Sequence, residues 1–339
     1  MGVLRFFRSN QLINVFFVLL YAGLVQLGYF FWSNQEAIHH TGIGPAYDLL
    51  LQLWPQLGTN APLQHLAGLA CLISLAFFVN GFVNRWRITH HNTMLPALAV
   101  ILLGSLFRDF TFFGPIWPAL LLVPAILWQL FHIYSEERIT LSVFYIGFCL
   151  GIAIAFYPPI MGLLPWIIFS LATFRKFVLR EYLVILVGVL VPWIWLVVGY
   201  FWSDNLALFG SYWHVLSIDW APITPSFHEV DWLKSGVALF LITGLAFRLI
   251  GSLSSSVIQL RKYARIMLAI GPLSLVCLIL ATPLSLSDFL ILLIPGGFIL
   301  GYSLATLERQ MASEAIHVTL LVLILMGQYV SFAVFNWLK

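Results

Sequence analysis

Residues 12–32 carry no charged side chain, and a run of that kind leaves a chain few folds to choose from. At a rise of about 1.5 Å per residue, roughly 20 apolar residues in a helix cross the hydrocarbon layer of a bilayer. Comparable runs recur along the chain and predict about eleven membrane helices, at roughly 12–32, 62–84, 94–107, 114–134, 141–156, 159–174, 182–202, 234–253, 265–281, 287–306 and 315–336. The strands of a membrane barrel would show short alternating segments instead, and none are present. Composition agrees: 61% of the 339 residues are hydrophobic and 9% are charged, against about 25% charged in ordinary soluble domains. The predicted fold class is an all-α polytopic transmembrane helix bundle, a single integral membrane domain over residues 1–339. Its two longer outer loops fall at about 33–61 and 203–233.

Three of the segments, 94–107, 141–156 and 159–174, are short for a full crossing. Such segments serve as broken helices inside a protein or as the lining of a cavity. The last two meet at Tyr157-Pro158-Pro159, where the double proline interrupts the backbone hydrogen-bond ladder and predicts a tight reversal. The opening Met1-Gly-Val-Leu-Arg-Phe-Phe-Arg8 precedes an apolar run, but no small-x-small cleavage pattern comes before Trp32. The first run is therefore expected to be an uncleaved helix.

Basic residues orient the bundle. With the N-terminus in the cytoplasm, Arg5, Arg8, Arg85, Arg87, Arg138, Arg175, Lys176, Arg180, Arg261, Lys262, Arg265 and Arg309 fall inside, twelve of sixteen. Arg108, Lys234 and Lys339 fall outside, and Arg248 lies within a helix. Eight of the thirteen acids, Glu36, Asp48, Asp109, Asp204, Asp219, Glu229, Asp231 and Asp288, then lie on the outer face. Acids contribute little to topology, so this second asymmetry was not built into the first. The expected location is a bacterial inner membrane, with multiple passes.

Several function classes lose their support. No Walker loop, G-x-S-x-G, H-E-x-x-H or C-x-x-C occurs, and no basic run with interleaved aromatics points to nucleic acid. Cys71, Cys149 and Cys277 lie in apolar runs without metal-ligand spacing and read as small core residues. His39-His40 and His90-His91 are adjacent in sequence, so their side chains diverge on a helix and predict no metal site. His65, His132 and His317 read as partners of neighbouring helices, as do Asn80 and Asn84.

The candidate catalytic residues are outer carboxylates. Glu36 follows the first helix, and Asp48 opens Tyr47-Asp-Leu-Leu-Leu-Gln-Leu-Trp54, whose pattern suits an amphipathic helix in the membrane interface. A carboxylate at the rim of a membrane cavity is suited to general-base work, or to holding a divalent metal against a lipid phosphate. Arg108 and Asp109 sit in a loop of about six residues between two apolar segments, where a guanidinium has access to phosphate. At the inner face Arg175, Lys176 and Arg180 form a second candidate phosphate- or lipid-binding group, and they also serve as topology anchors.

The pieces Phe6-Phe7-Arg8-Ser9-Asn10-Gln11, Asn92-Thr-Met-Leu-Pro-Ala-Leu98, Gly151 to Tyr157-Pro158-Pro159, Arg180-Glu181-Tyr182 and Ile294-Pro295 resemble a widespread, functionally uncharacterised family of membrane proteins of Bacteroidetes. More remotely, the arrangement is similar to the GT-C superfamily of polyprenyl-phosphate-dependent glycosyltransferases. Those proteins have a first helix, a long outer loop with an amphipathic segment, and short helix pairs joined by tight turns. The resemblance implies an outer acid just beyond the first helix as base or metal ligand, the position of Glu36 and, less closely, Asp48. The close pair of acids and the large soluble domain of that superfamily are absent here.

Three functions follow as expectations. The first is a GT-C-like enzyme that takes a sugar from a polyprenyl-phosphate carrier at the periplasmic face. The second is a non-catalytic membrane subunit or assembly factor that binds other membrane proteins of an envelope or secretion complex. The third is a lipid or small-solute transporter. Membrane lipids are partners in all three.

Overall fold

The computed structural model describes residues 4–9, 11–32, 43–89, 91–134, 139–212, 229–253, 257–281, 284–307 and 309–337. Among them every regular element is helical. In chain order they are α1 (Leu4–Phe7), α2 (Leu12–Trp32), α3 (Pro45–Leu53), α4 (Gln56–Thr59), α5 (Ala61–Arg85), α6 (Leu95–Gly104), α7 (Arg108–Thr111), α8 (Ile116–Ile133) and α9 (Thr140–Phe156). They continue as α10 (Leu164–Phe174), α11 (Leu179–Trp202), α12 (Leu206–Ser211), α13 (Glu229–Leu253), α14 (Ile258–Leu273), α15 (Leu275–Leu280), α16 (Leu293–Thr306) and α17 (Gln310–Trp337). Eight helical stretches among the described residues are long and apolar enough to cross a membrane. Leu95–Gly104, Thr140–Phe156 and Pro158–Phe174 are apolar but shorter. This is the make-up of a multi-pass membrane protein.

The structure revises several expected boundaries. The segment expected at 94–107 is only the ten-residue α6, because Arg108–Thr111 forms a helical turn of its own rather than a loop. The segment expected at 234–253 starts at Glu229, which puts Lys234 inside α13 rather than at its rim. The one expected at 265–281 starts at Ile258 and steps at Ser274, just after Pro272, whose ring cannot donate a backbone hydrogen bond. The reversal at Pro158 is built as a 3-10 helix, Pro158–Leu163, leading into α10. A second 3-10 helix, Leu286–Leu292, leads into α16 in the same way.

The core forms around α6, all ten of whose residues are buried. It packs against α5 and α16. Glycine makes that approach possible: a Cβ at Gly301 would stand 2.6 Å from Pro96 Cα, closer than side chains tolerate. The tightest pair is α9 with α11. A Cβ on Gly147 would lie 2.2 Å from the carbonyl oxygen of Ile185, and one on Gly188 would lie 2.5 Å from that of Phe144. Gly147 and Gly151 sit one turn apart on the contacting face, the small-x-x-x-small spacing that lets membrane helices touch backbone to backbone.

The outward faces are equally informative. On α11, Leu183, Leu186, Leu190, Ile194 and Trp195 are exposed, as are Leu239, Phe240 and Phe247 on α13. A water-soluble monomer rarely shows contiguous apolar surface on this scale, whereas hydrocarbon covers it without cost. Inside, polar side chains knit helices together as expected. Tyr21 and His317 share a hydrogen bond of 2.9 Å between α2 and α17. Asn84 Nδ2 donates to the Thr93 carbonyl at 3.0 Å and its Oδ1 accepts from Thr93 N–H at 3.2 Å, which ties α5 to the start of α6. Cys277 is buried and Cys71 and Cys149 are half-buried, all three as free thiols.

Candidate functional site

The two ends of the bundle differ in chemistry. Towards the end that the basic residues assign to the outside, α17 packs at Gly327 against α2 and α13, and the short α7 packs against α2 and α5. Polar side chains from α2, α5, α7 and α13 gather there. Lys234 is 3% exposed, and its Nζ donates to Asp231 Oδ1 at 2.8 Å. The same ammonium lies 5.3 Å from the centroid of the Phe107 ring, a cation–π contact that replaces part of its lost hydration.

Gly327 of α17 makes room for this lysine. A Cβ there would stand 2.5 Å from Lys234 Nζ and 3.1 Å from Tyr29 Oη, so the ammonium and the phenol flank one point of the helix. Tyr29 Oη is buried without a hydrogen-bond partner among the described residues. The charges of Asp231, Arg108 and Asp109 are all near enough to act on that hydroxyl. His65 of α5 is 1% exposed, with its ring between Phe30 and Phe112 at 5.7 Å from each, and the Arg108 charge reaches it as it reaches Tyr29. Its Nδ1 also has no partner among the described residues, nor do Gln64 Oε1 and Gln26 Oε1. Arg108 caps the group, its guanidinium 5.6 Å from the Phe112 centroid. A Cβ at Gly68 would stand 2.2 Å from Thr111 O, so it is a bare glycine that lets α7 press onto α5 and hold Arg108 over the cluster.

Open polar atoms at this depth are informative, because each unsatisfied group in a low-dielectric interior costs free energy. A lysine and a phenol that flank Gly327, with an arginine whose charge reaches both that phenol and the His65 imidazole, offer charged and neutral hydrogen-bond donors to an anion. The sequence reading missed most of this group. Lys234 was expected at the outer rim of its helix, and His65 was expected to bond to neighbouring helices. The available signal was the presence of Gln26, Tyr29, Gln64 and His65 in otherwise apolar segments, since intramembrane polar residues are functional candidates by default.

The other expected site residues fall elsewhere. Glu36 lies outside the described residues, as do His39, His40 and His90. Asp48 is on α3 as expected, with Tyr47 buried and Leu53 and Trp54 strongly exposed on the amphipathic turn. Its carboxylate is engaged, because Tyr212 donates a short hydrogen bond to Asp48 Oδ2. Tyr200 donates to Pro45 O at 3.3 Å and so holds the same helix. Burial first, and then the bond to Asp48, push the Tyr212 phenol well above its ordinary range and keep it protonated as a donor. Asp288 is likewise structural. It is 3% exposed, accepts from Tyr157 Oη at 2.7 Å, and caps its 3-10 helix through Ser285 N and Oγ at 2.7 and 2.9 Å.

Asp109 is half-buried beside Arg108. At the opposite end Arg175 and Arg180 line one cavity, with Lys176 exposed next to them. Among the described residues no three His, Cys, Asp or Glu side chains come together in a group able to hold a metal.

The family comparison covers α5 to α17 and with them every described element of the cluster except α2. Residues 51–336 match a family of unknown function, DUF6427. The chain belongs to that family. No curated protein and no solved structure matches it. The DUF6427 chain therefore takes its functional reading from its own residues.

Proposed function

We propose that this DUF6427 protein binds the phosphate head of a lipid carrier at the outer end of its bundle, in the periplasmic leaflet of a bacterial inner membrane. The ligand in this reading is a polyprenyl-phosphate-linked sugar, handled in a GT-C-like manner by about eleven membrane-crossing or membrane-embedded helices. The observation that carries it is the convergence of Lys234, Arg108, Tyr29 and His65, with open buried polar atoms, at one end of an apolar bundle. Arg108 and Lys234 neutralise the phosphate, while Tyr29 and His65 supply neutral hydrogen bonds. A carboxylate, Glu36 or Asp48, accepts the proton of the acceptor hydroxyl as its oxygen bonds to the sugar carbon. The bond from that carbon to the phosphate oxygen breaks, and polyprenyl phosphate leaves with the electron pair. A divalent metal beside the carboxylate would assist the same departure.

The test has two arms. Purified wild-type protein is expected to hold polyprenyl phosphate in native mass spectrometry, and Arg108→Gln with Lys234→Gln is expected to release it. In cells, Glu36→Gln and Asp48→Asn are expected to change the envelope glycan profile. Retention of the lipid by the double variant sinks the binding reading. An unchanged glycan profile in both carboxylate variants sinks catalysis alone.

A second reading is favoured by one specific observation. Asp48 and Asp288 are both committed to tyrosine hydroxyls that join helices, which suits a non-catalytic membrane subunit. Native pull-down in several detergents that returns only this chain counts against it.

A further inference from the structure

The first turn of α6 is a buried helix start whose N–H groups go unanswered. Pro96 has no N–H, and the Leu98 N–H bonds to Met94 O at 3.1 Å, which leaves the N–H groups of Leu95 and Ala97. Met94 supplies no side-chain cap, and neither N–H has a hydrogen-bond partner among the described residues. A helix end buried in this state calls for a partner from somewhere.

Two side chains turn the orphaned backbone into a site. Thr93, which precedes the cap residue Met94, is 5% exposed, and its Oγ1 has no partner among the described residues. Asn80 of α5 is 4% exposed and faces the same turn, with its Nδ2 at 3.2 Å from Met94 Sδ. Its Oδ1 is likewise without a partner among the described residues. Sulfur is a weak acceptor, so turning the amide over presents Nδ2 where Oδ1 now points and forfeits little. Unpaired polar groups in an apolar interior are costly, and here four belong to one turn.

Charge decides the kind of partner. A helix N-terminus favours negative charge, and N–H and O–H donors together coordinate an anion. Residues 1–35, 49–107 and 289–307, from which α1, α2, α5, α6 and α16 are built, contain no acid. Arg85 and Arg87 follow at the end of α5, and Arg8 follows Phe7, whose carbonyl accepts from the Met94 N–H at 2.8 Å. Burial limits the size. Leu95, Ala97 and Leu98 are all 0% exposed, and α16 presses on Pro96 through Gly301, which suits a monatomic anion rather than a phosphate or a carboxylate.

We propose that the start of α6 binds a halide, chloride in the cell, between the N–H groups of Leu95 and Ala97, the Thr93 hydroxyl and the Asn80 amide. The ion ties α5 to α6 at the far end of the bundle from Lys234. Asn80 lies about 22 Å farther along α5 than His65, at 1.5 Å per residue, so the site does not depend on the phosphate reading.

The experiment melts purified full-length protein in one detergent with chloride, bromide or gluconate as the sole anion at equal ionic strength. Chloride and bromide are expected to raise the melting temperature saturably over gluconate. Thr93→Val keeps the shape without the hydroxyl and is expected to weaken chloride about tenfold, whereas Thr93→Ser is expected to keep it. Asn80→Leu takes the same role should Thr93→Val fail to fold. With no ion bound, Thr93→Val and Asn80→Leu would merely remove unpaired polar groups and melt higher than wild type in every salt, which overturns the proposal. So does a wild-type melting temperature that is the same in chloride and in gluconate. Crystals of wild type grown in bromide locate the ion without any variant. Anomalous density beside Leu95 N and Thr93 Oγ1 is expected, and a water there with no anomalous signal overturns the proposal.

Discussion

Tyr212 and Asp48 join two segments 164 positions apart in the chain, and the bond between them has a definite dependence on pH. The Tyr212 phenol is held above its ordinary value of 10.0 by burial and by the hydrogen bond to Asp48. Tyr47 is shifted the same way, by burial and by the nearby Asp48 charge. For a group whose folded pKa is raised, the folded state binds the proton more tightly than the unfolded chain does. Stability from both tyrosines is therefore fully present below about pH 10 and is lost as pH rises from there. Tyr212→Phe is expected to cost about 1–2 kcal/mol at neutral pH, the worth of a hydrogen bond to a charged acceptor less what water returns. Because phenylalanine has no proton to lose, its thermal stability should also fall less steeply than wild type's in the alkaline range. Parallel curves would refute the assignment. A second residue prediction concerns the buried ion pair. Lys234→Met leaves Asp231, whose side chain is only 19% exposed, without its cation, and is expected to cost about 3 kcal/mol. Adding Asp231→Asn should recover much of that loss; a double variant no more stable than the single one excludes the pairing. Neither contact was legible in the chain. Asp48 was picked out as the acid that opens the amphipathic segment, but a sequence does not say which of twelve tyrosines will reach it.

Helices were far more legible than contacts, for a physical reason. In lipid every backbone polar group must be satisfied within its own segment, so the length of an apolar run nearly dictates a helix there. Leu12–Trp32 and Thr140–Phe156 accordingly fall within a residue of the expected bounds. The misplaced starts have local causes. Glu229 and Asp231 lower the apolarity of the first turn of α13, although acids suit a helix N-terminus well. What hydropathy does not carry is which faces meet, because lipid and protein interior are equally apolar. That information sits in small residues. Gly147→Ala puts a methyl 2.2 Å from the Ile185 carbonyl oxygen, so α9 and α11 must part. The expected cost is about 1–3 kcal/mol, the usual penalty of overpacking a tight interface. Gly199, also on α11, has nothing within 4 Å of the same position. Gly199→Ala should be neutral or slightly stabilising through backbone entropy. Thermal unfolding in one detergent compares the two, and equal melting temperatures would mean that α9 and α11 do not touch through glycine.

For the whole molecule, the question that organises both proposed sites is which end faces which compartment. The Lys234 cluster and the start of α6 lie at opposite ends, so one orientation assigns both. The sequence assigns twelve of the sixteen basic residues to the side of Arg175 and three to the other as an expectation, because translocation strongly disfavours carrying that many positive charges across. Lys176 and Asp204 are exposed residues beyond the two ends of α11, each bordering the bundle. In a background with Cys71, Cys149 and Cys277 replaced by alanine, a membrane-impermeant maleimide should label Asp204→Cys in intact cells. Lys176→Cys should react only after the inner membrane is permeabilised. The reverse pattern would put the start of α6 outside and the Lys234 cluster in the cytoplasm. A periplasmic sugar carrier could not then reach Arg108, and the glycosyl-transfer reading would fall. The halide site would stand, since chloride is available on both sides of a membrane. The orientation experiment thus separates the two proposals before any ligand is added.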